Sequence, residues 1–164
     1  MTAGQRQLTE LDRAEALRLL GSVSLGRIVF THRAMPAVRP VNHILDSTGV
    51  IIRSHSGAAI ISEADNARGA VVAYEADNIN PNYLLGWSVV VTGIARLVRD
   101  PGELAHYRLT LIPWVDREMD QMIRIQPEVI TGFRLDGQRP APAGAINGQA
   151  GLDGQREDGP GPEG

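Results

Sequence analysis

Two short segments hold the side chains with chemical potential. Arg39-Pro-Val-Asn-His43 puts a guanidinium, a carboxamide and an imidazole within five residues. Side chains alternate along an extended strand, so Arg39, Val41 and His43 share one face and Pro40, Asn42 and Ile44 the other. Pro40 brings no N–H to a ladder. The segment is therefore either an edge strand with solvated side chains or a strand whose free backbone groups meet a ligand. The second segment, Arg53-Ser-His-Ser-Gly57, joins an apolar run to a stretch of small residues. A guanidinium, the Ser54 and Ser56 hydroxyls and free amides at a helix start can together hold a phosphate. A turn rich in Ser and Gly is the alternative.

Several other chemistries lack their residues. The chain has no cysteine, which removes disulfides, thiolate zinc sites and thiol nucleophiles. Its 16 basic residues are all arginine, so it has no lysine for a Schiff base or a phosphate loop. None of its serines lies in a GxSxG elbow, and GxGxxG is missing. His32, His43, His55 and His106 lie 11, 12 and 51 residues apart, which matches no compact ligand spacing, and no metal site is expected.

These segments need a scaffold, and composition bounds it. The chain has 164 residues, and its character changes after Leu135. The last 29 residues hold eight of the 18 glycines, four of the ten prolines and five acids against two arginines. Such a stretch buries too little apolar surface to offset its ordering entropy. Two parts are expected: a folded domain over 1–135 and a disordered Gly/Pro-rich tail over 136–164. The folded part carries no net charge, which argues against nucleic acid as a partner. No apolar run approaches the roughly 18–20 residues of a membrane span. The first twenty residues are too charged for a secretory signal, so a cytoplasmic location is expected.

Within 1–135, Asp12 and Glu15 have capping-box spacing, and Leu11, Ala14, Leu17 and Leu20 recur at helical intervals up to Gly21. Leu25–Phe30, Ala37–Leu45 and Val50–Ser54 read as strands in hairpins, with turns at Thr31–Met35 and Asp46–Gly49. Residues 57–66 suggest a short helix, Ala70–Glu75 a strand and Asp77–Asn82 a polar loop. The longest β signal is Gly86–Val98, where Gly93 marks a bulge. Asp100 and Pro101 open a second full helix that runs to about Leu111. Met122–Gln126 and Val129–Leu135 read as two final strands. Without βαβ alternation, the expected fold is mainly β (α+β). It is a six- to seven-stranded antiparallel barrel with two or three peripheral helices.

The ordered set GRIVFT, PAVRPVNHILD, GVIIRSHSG, VVAYEAD and GWSVVVTGIARLV followed by DPGEL spans about Leu11 to Leu135. It resembles the pyridoxamine 5'-phosphate oxidase-like family of FMN-binding split β-barrels. The likeness is to its small actinobacterial members, which are similar to nitroimidazole-resistance proteins. The resemblance implies a homodimer with two FMN sites at the subunit interface. It places flavin contacts on Arg39, Pro40, Val41 and Asn42, and phosphate contacts on Arg53, Ser54 and Ser56. It sets Trp87 at the dimer interface near the partner's flavin, with Trp114 and Arg124 as further parts of that wall. His43 is then the polar group expected to face a substrate.

The function implied is that of a flavin-dependent oxidoreductase acting on an unknown small molecule. Flavin carries the redox chemistry, which suits a chain without a nucleophile or an acid–base constellation. Pyridoxamine-phosphate oxidation itself is not expected, because no basic cluster awaits a second phosphate. Relatives carry Thr and Lys where this chain has Ala58 and Ala59. Losing one charge-assisted contact costs about 1.5–3 kcal/mol. That departure keeps two alternatives open: a deazaflavin-dependent reductase, or a non-catalytic barrel that has lost flavin and binds a small ligand, haem or a protein. Removing residues 136–164 is expected to leave the thermal melting temperature and ligand binding unchanged; a fall of several degrees would show that the tail belongs to the fold.

Overall fold

The computed structural model of the protein describes residues 6–116 and 118–137. The expectation of a disordered tail therefore falls, beyond Gly137, outside the described residues. Strand β1 (Arg6–Glu10) precedes helix α1 (Arg13–Leu20). Asp12 caps that helix, its side chain accepting from the Glu15 N–H at 2.8 Å, and Ala16, Leu19 and Leu20 are buried. Strands β2 (Leu25–His32), β3 (Met35–Asp46) and β4 (Gly49–Ser54) follow as successive hairpins. Helix α2 is one short stretch, Ala59–Ala64. Strands β5 (Ala70–Asn80) and β6 (Leu85–Leu97) form the next hairpin. Helix α3 (Pro101–Thr110) begins as expected, with Asp100 accepting from the Glu103 N–H at 2.8 Å. Strand β7 (Gln121–Gly137) ends the described chain.

All seven strands pair antiparallel in the order β1-β7-β4-β3-β2-β5-β6, and β6 pairs again with β7. Six strands thus close a ring, and β1 lies outside it on the end of β7. Closure removes most of the exposed sheet edge. Inward residues form one apolar cluster that includes Ile28, Phe30, Ile52, Tyr74, Val89 and Ile125. A second cluster seats α3 on the outer face through Tyr107 and Leu111 against Ile51 and Met122. No helix among the described residues is long and apolar enough to cross a membrane.

Three details differ from expectation. β1 was not foreseen, since RQLTE has a single apolar residue; its partner on β7, not its own pattern, makes it a strand. β5 and β6 extend to Asn80 and from Leu85, so most of the supposed polar loop is ladder. The two final strands are one. The register shifts between Thr92 and Gly93, Gly93 faces Pro127 and Thr92 faces Val129. The bulge absorbs the proline, which has no N–H to give. β7 also runs through Asp136 and Gly137, which pair with Gln7 and Arg6, so this strand continues two residues past the expected boundary at 135.

A Cβ on Gly93 would overlap the carbonyl oxygen of Gln126 across that bulge. Gly93→Ala must push the β6 and β7 backbones apart, and a loss of about 1–3 kcal/mol is expected in urea unfolding. Unchanged stability would mean the bulge is not tightly packed.

Candidate functional site

The β3–β4 hairpin pairs from Asp46↔Gly49 to His43↔Ile52, and there the two strands part. Arg53 and Ser54 continue along β7, opposite Met122 and Gln121. Residues Met35 to Asn42 pair with β2 alone among the described residues. The Arg39–Val41 stretch is thus an edge, which explains how prolines at 36 and 40 fit inside a twelve-residue strand.

The connection after α3 closes one end of this wedge. The Asn42 side-chain amide donates to the Ile112 carbonyl at 2.6 Å. Arg53 donates from Nη1 to the Leu111 carbonyl at 2.9 Å and from Nε to that of Met119. Asn42 and Arg53, expected on the flavin and its phosphate, thus donate from Nδ2 and from Nε and Nη1 to backbone carbonyls of this connection. Leu111 is the buried C-cap of α3, where a helix leaves carbonyls without internal partners, and Arg53 supplies a donor there.

What remains open is a cavity of about 320 Å³. Arg39, Pro40 and Val41 line one side, and Ser54, His55 and Met119 the other. Ile28, Phe30, Ile52 and Ile60 form an apolar wall, and Ala58 and Ala59 present only methyl groups. Ser54 is 6% exposed and faces this space. Arg39 is exposed and donates to the Val38 carbonyl at 2.7 Å. Ser56 is exposed and does not line the cavity. Its N–H helps hold the Asp120 carboxyl below the usual range, chiefly the work of the Gln121 side chain, while burial opposes it.

The other expected site residues lie elsewhere. His43 is 2% exposed, with Nε2 2.9 Å from the Leu20 carbonyl and Nδ1 2.7 Å from the Tyr74 hydroxyl. The carbonyl can only accept, so Nε2 carries the proton and Tyr74 donates to Nδ1. Both ring nitrogens are thus engaged within the barrel wall, and His43 does not line the seam cavity. Period-2 alternation missed this, because strand parting buries Asn42 and His43 in succession. Trp87 is 8% exposed and packs in the chain's own core cluster. Arg124 is held by Thr48, Glu103 and the Tyr107 hydroxyl, outside the cavity. Trp114 is 61% exposed and lines a wider depression of about 730 Å³, together with Leu25, Arg27, Asp77 and the His43 segment. Sequence reasoning gave His55 no role, although its position between two serines was the available signal.

A closed antiparallel barrel that opens at one seam, with helices outside, defines the split-barrel class. The chain belongs to the pyridoxamine 5'-phosphate oxidase family, whose sequence profile matches residues 12–134. An uncharacterized protein of Mycobacterium tuberculosis, Rv0080, is 51% identical over 134 residues, which is 79% of this chain and 87% of the relative. The FAD binding protein of Mycobacterium smegmatis shares 33% identity at a TM-score of 0.59, covering 78% of this chain and 98% of that one. A conserved protein of unknown function from Corynebacterium diphtheriae shares 28% identity at a TM-score of 0.64, over 79% and 98% of the two chains.

Burial holds the His43 imidazole below its ordinary 6.5, partly offset by the Leu20 carbonyl. A histidine kept neutral in the fold binds a proton more readily once unfolded. The stability this confers is full above the ordinary value and is lost as pH falls from there toward the folded value. Urea unfolding should show stability dropping below about pH 6.5. His43→Leu should flatten that slope, and an unchanged slope would place its origin elsewhere.

Proposed function

We propose that this chain binds a flavin through the seam cavity and serves, as a homodimer, as a flavin-dependent oxidoreductase for a small molecule. The observation that carries this reading is the convergence of Arg39, Pro40, Val41 and Ser54 on one cavity with an apolar wall. A guanidinium and a hydroxyl beside Ile28, Phe30 and Ile52 suit a ligand with an anionic end and a hydrophobic body. That is the chemistry of a flavin phosphate. The FAD-binding relative from Mycobacterium smegmatis supports the same choice. FMN is the first candidate, and FAD presents the same phosphate next to its ribityl chain.

In this reading Arg39 grips the phosphate oxygens, and the Ser54 hydroxyl donates to them. The free edge at Pro40 and Val41 offers backbone groups to the polar rim of the ring. Ile28, Phe30 and Ile52 exclude water, which strengthens each of these contacts. Bound flavin supplies hydride and electron transfer. The second copy is supported by the apolar side chains that one chain leaves in water, among them Met35 at 66%, Val71 at 70%, Trp114 at 61% and Val129 at 56% exposed.

A second reading, a barrel without flavin, is favoured by one observation: Arg53 is committed to the Leu111 and Met119 carbonyls, and Ala58–Ala59 add no donor side chain. Fluorescence titration with FMN and with FAD separates the two. Saturable quenching is expected, and Arg39→Ala should weaken it tenfold to a hundredfold, the worth of a contact of about 1.5–3 kcal/mol. Absence of quenching by either flavin would favour the second reading. Intact binding in Arg39→Ala would move the phosphate out of this cavity.

A further inference from the structure

The cavity's donor inventory points to one more residue. Of the side chains that line it, only Arg39, Ser54 and His55 carry a hydrogen-bond donor, and only Arg39 and His55 can carry positive charge. One nearby backbone donor is already spent: the Ala58 N–H is bonded to the His55 carbonyl at 3.0 Å. The His55 ring stays on the cavity side. Its Nδ1 lies 3.5 Å from where a Cβ on Gly57 would sit, so the imidazole folds over a residue with no side chain to displace it. A phosphate monoester carries close to two negative charges near neutrality, and one guanidinium neutralises one. An imidazole beside such a group is favoured in its protonated form.

We propose that His55 is the second cation of this site, binding the flavin phosphate as an imidazolium, so that FMN binding takes up a proton. The inference rests on the flavin reading and deepens it: the seam cavity selects a phosphorylated flavin, with an affinity that depends on pH.

Other charged groups lie on the elements around His55. β3 and β4 bring the Arg39 and Arg53 guanidiniums. β2 and the start of α2 bring Ile28, Phe30, Ala59 and Ile60, and farther along α2 Glu63 is paired with His32. The connection brings the Glu118 and Asp120 carboxyls, with Arg108 acting on Asp120 from α3. Above about pH 7 the phosphate itself is a dianion.

The test measures FMN and riboflavin dissociation constants by fluorescence quenching from pH 7 to 9, for the native chain and for His55→Gln. Calorimetry in two buffers of different ionisation enthalpy counts the protons taken up. For the native chain, the FMN dissociation constant should rise with pH by up to about tenfold per unit, the limit for one linked proton. Riboflavin, which has no phosphate, should bind without that slope. His55→Gln keeps a neutral donor; it should bind FMN about tenfold more weakly at pH 7, lose the slope and take up no proton. Native binding of FMN with no pH slope and no proton uptake would overturn the role of His55 and leave the flavin reading standing. So would a slope that survives in His55→Gln. Failure of FMN, FAD and riboflavin alike to bind would overturn both.

Discussion

The parting of β3 from β4 beyond the His43↔Ile52 pair is the constraint on which the rest of the molecule depends. A fully zipped barrel of this size would fill with its own side chains. Instead β4 leaves its neighbour to follow β7, and among the described residues the Arg39–Val41 backbone has no strand partner on one side. Pro40 makes that tolerable, since a missing N–H costs nothing where no ladder needs it. The wedge then needs two things: a plug for its deep end and an apolar lining for its open end. The Leu111–Met119 connection supplies the first, and Ile28, Phe30, Ile52 and Ile60 supply the second.

The distribution of charge follows from that plug. With lysine absent, each cationic side chain apart from histidine is a planar fork with several donors, suited to fixed contacts. Arg53 spends its fork on the plug, and Arg124 ties the β3–β4 turn to α3 through Thr48, Glu103 and Tyr107. Arg134 ties β7 to α1 through Glu15 at 2.6 Å. That carboxyl is drawn down to about 2, first by Arg18 and then by Arg134. In water such pairs add little stability, but they determine which guanidinium is left over. Arg39 is the one that reaches the seam cavity.

The His43–Tyr74 pair shows how the same parting hides chemistry from a reader of sequence. Burial raises the Tyr74 phenol above its ordinary range, with the Glu75 charge adding to it, and the same burial lowers the His43 imidazole. The phenol also lies 3.2 Å from the Val41 carbonyl. These are properties of a satisfied wall beside the cavity. Gly26 allows it, because any Cβ there would strike the Tyr74 hydroxyl. From sequence, a histidine four places after an arginine on one strand looks like a second functional group, and its hydrogen-bond partners come from Leu20 and Tyr74, 23 and 31 residues away.

Local rules determined much of this protein. Caps at Asp12 and Asp100, alternating Val and Ile, and turn residues at Asp46–Gly49 depend on neighbours within a few residues, so the three helices and most strand cores are legible in the chain itself. The proline of Arg39–Val41 and the serine cluster at Ser54 also single out, in the chain itself, two segments that the fold brings to one cavity. Tertiary structure alone decided that Gln121–Gly137 is one strand, that Arg6–Glu10 is a strand at all, and which donors remain free. Those outcomes depend on partners far away in sequence. A guanidinium carries the same charge wherever it is written, and only the fold decides whether a carbonyl has already claimed it.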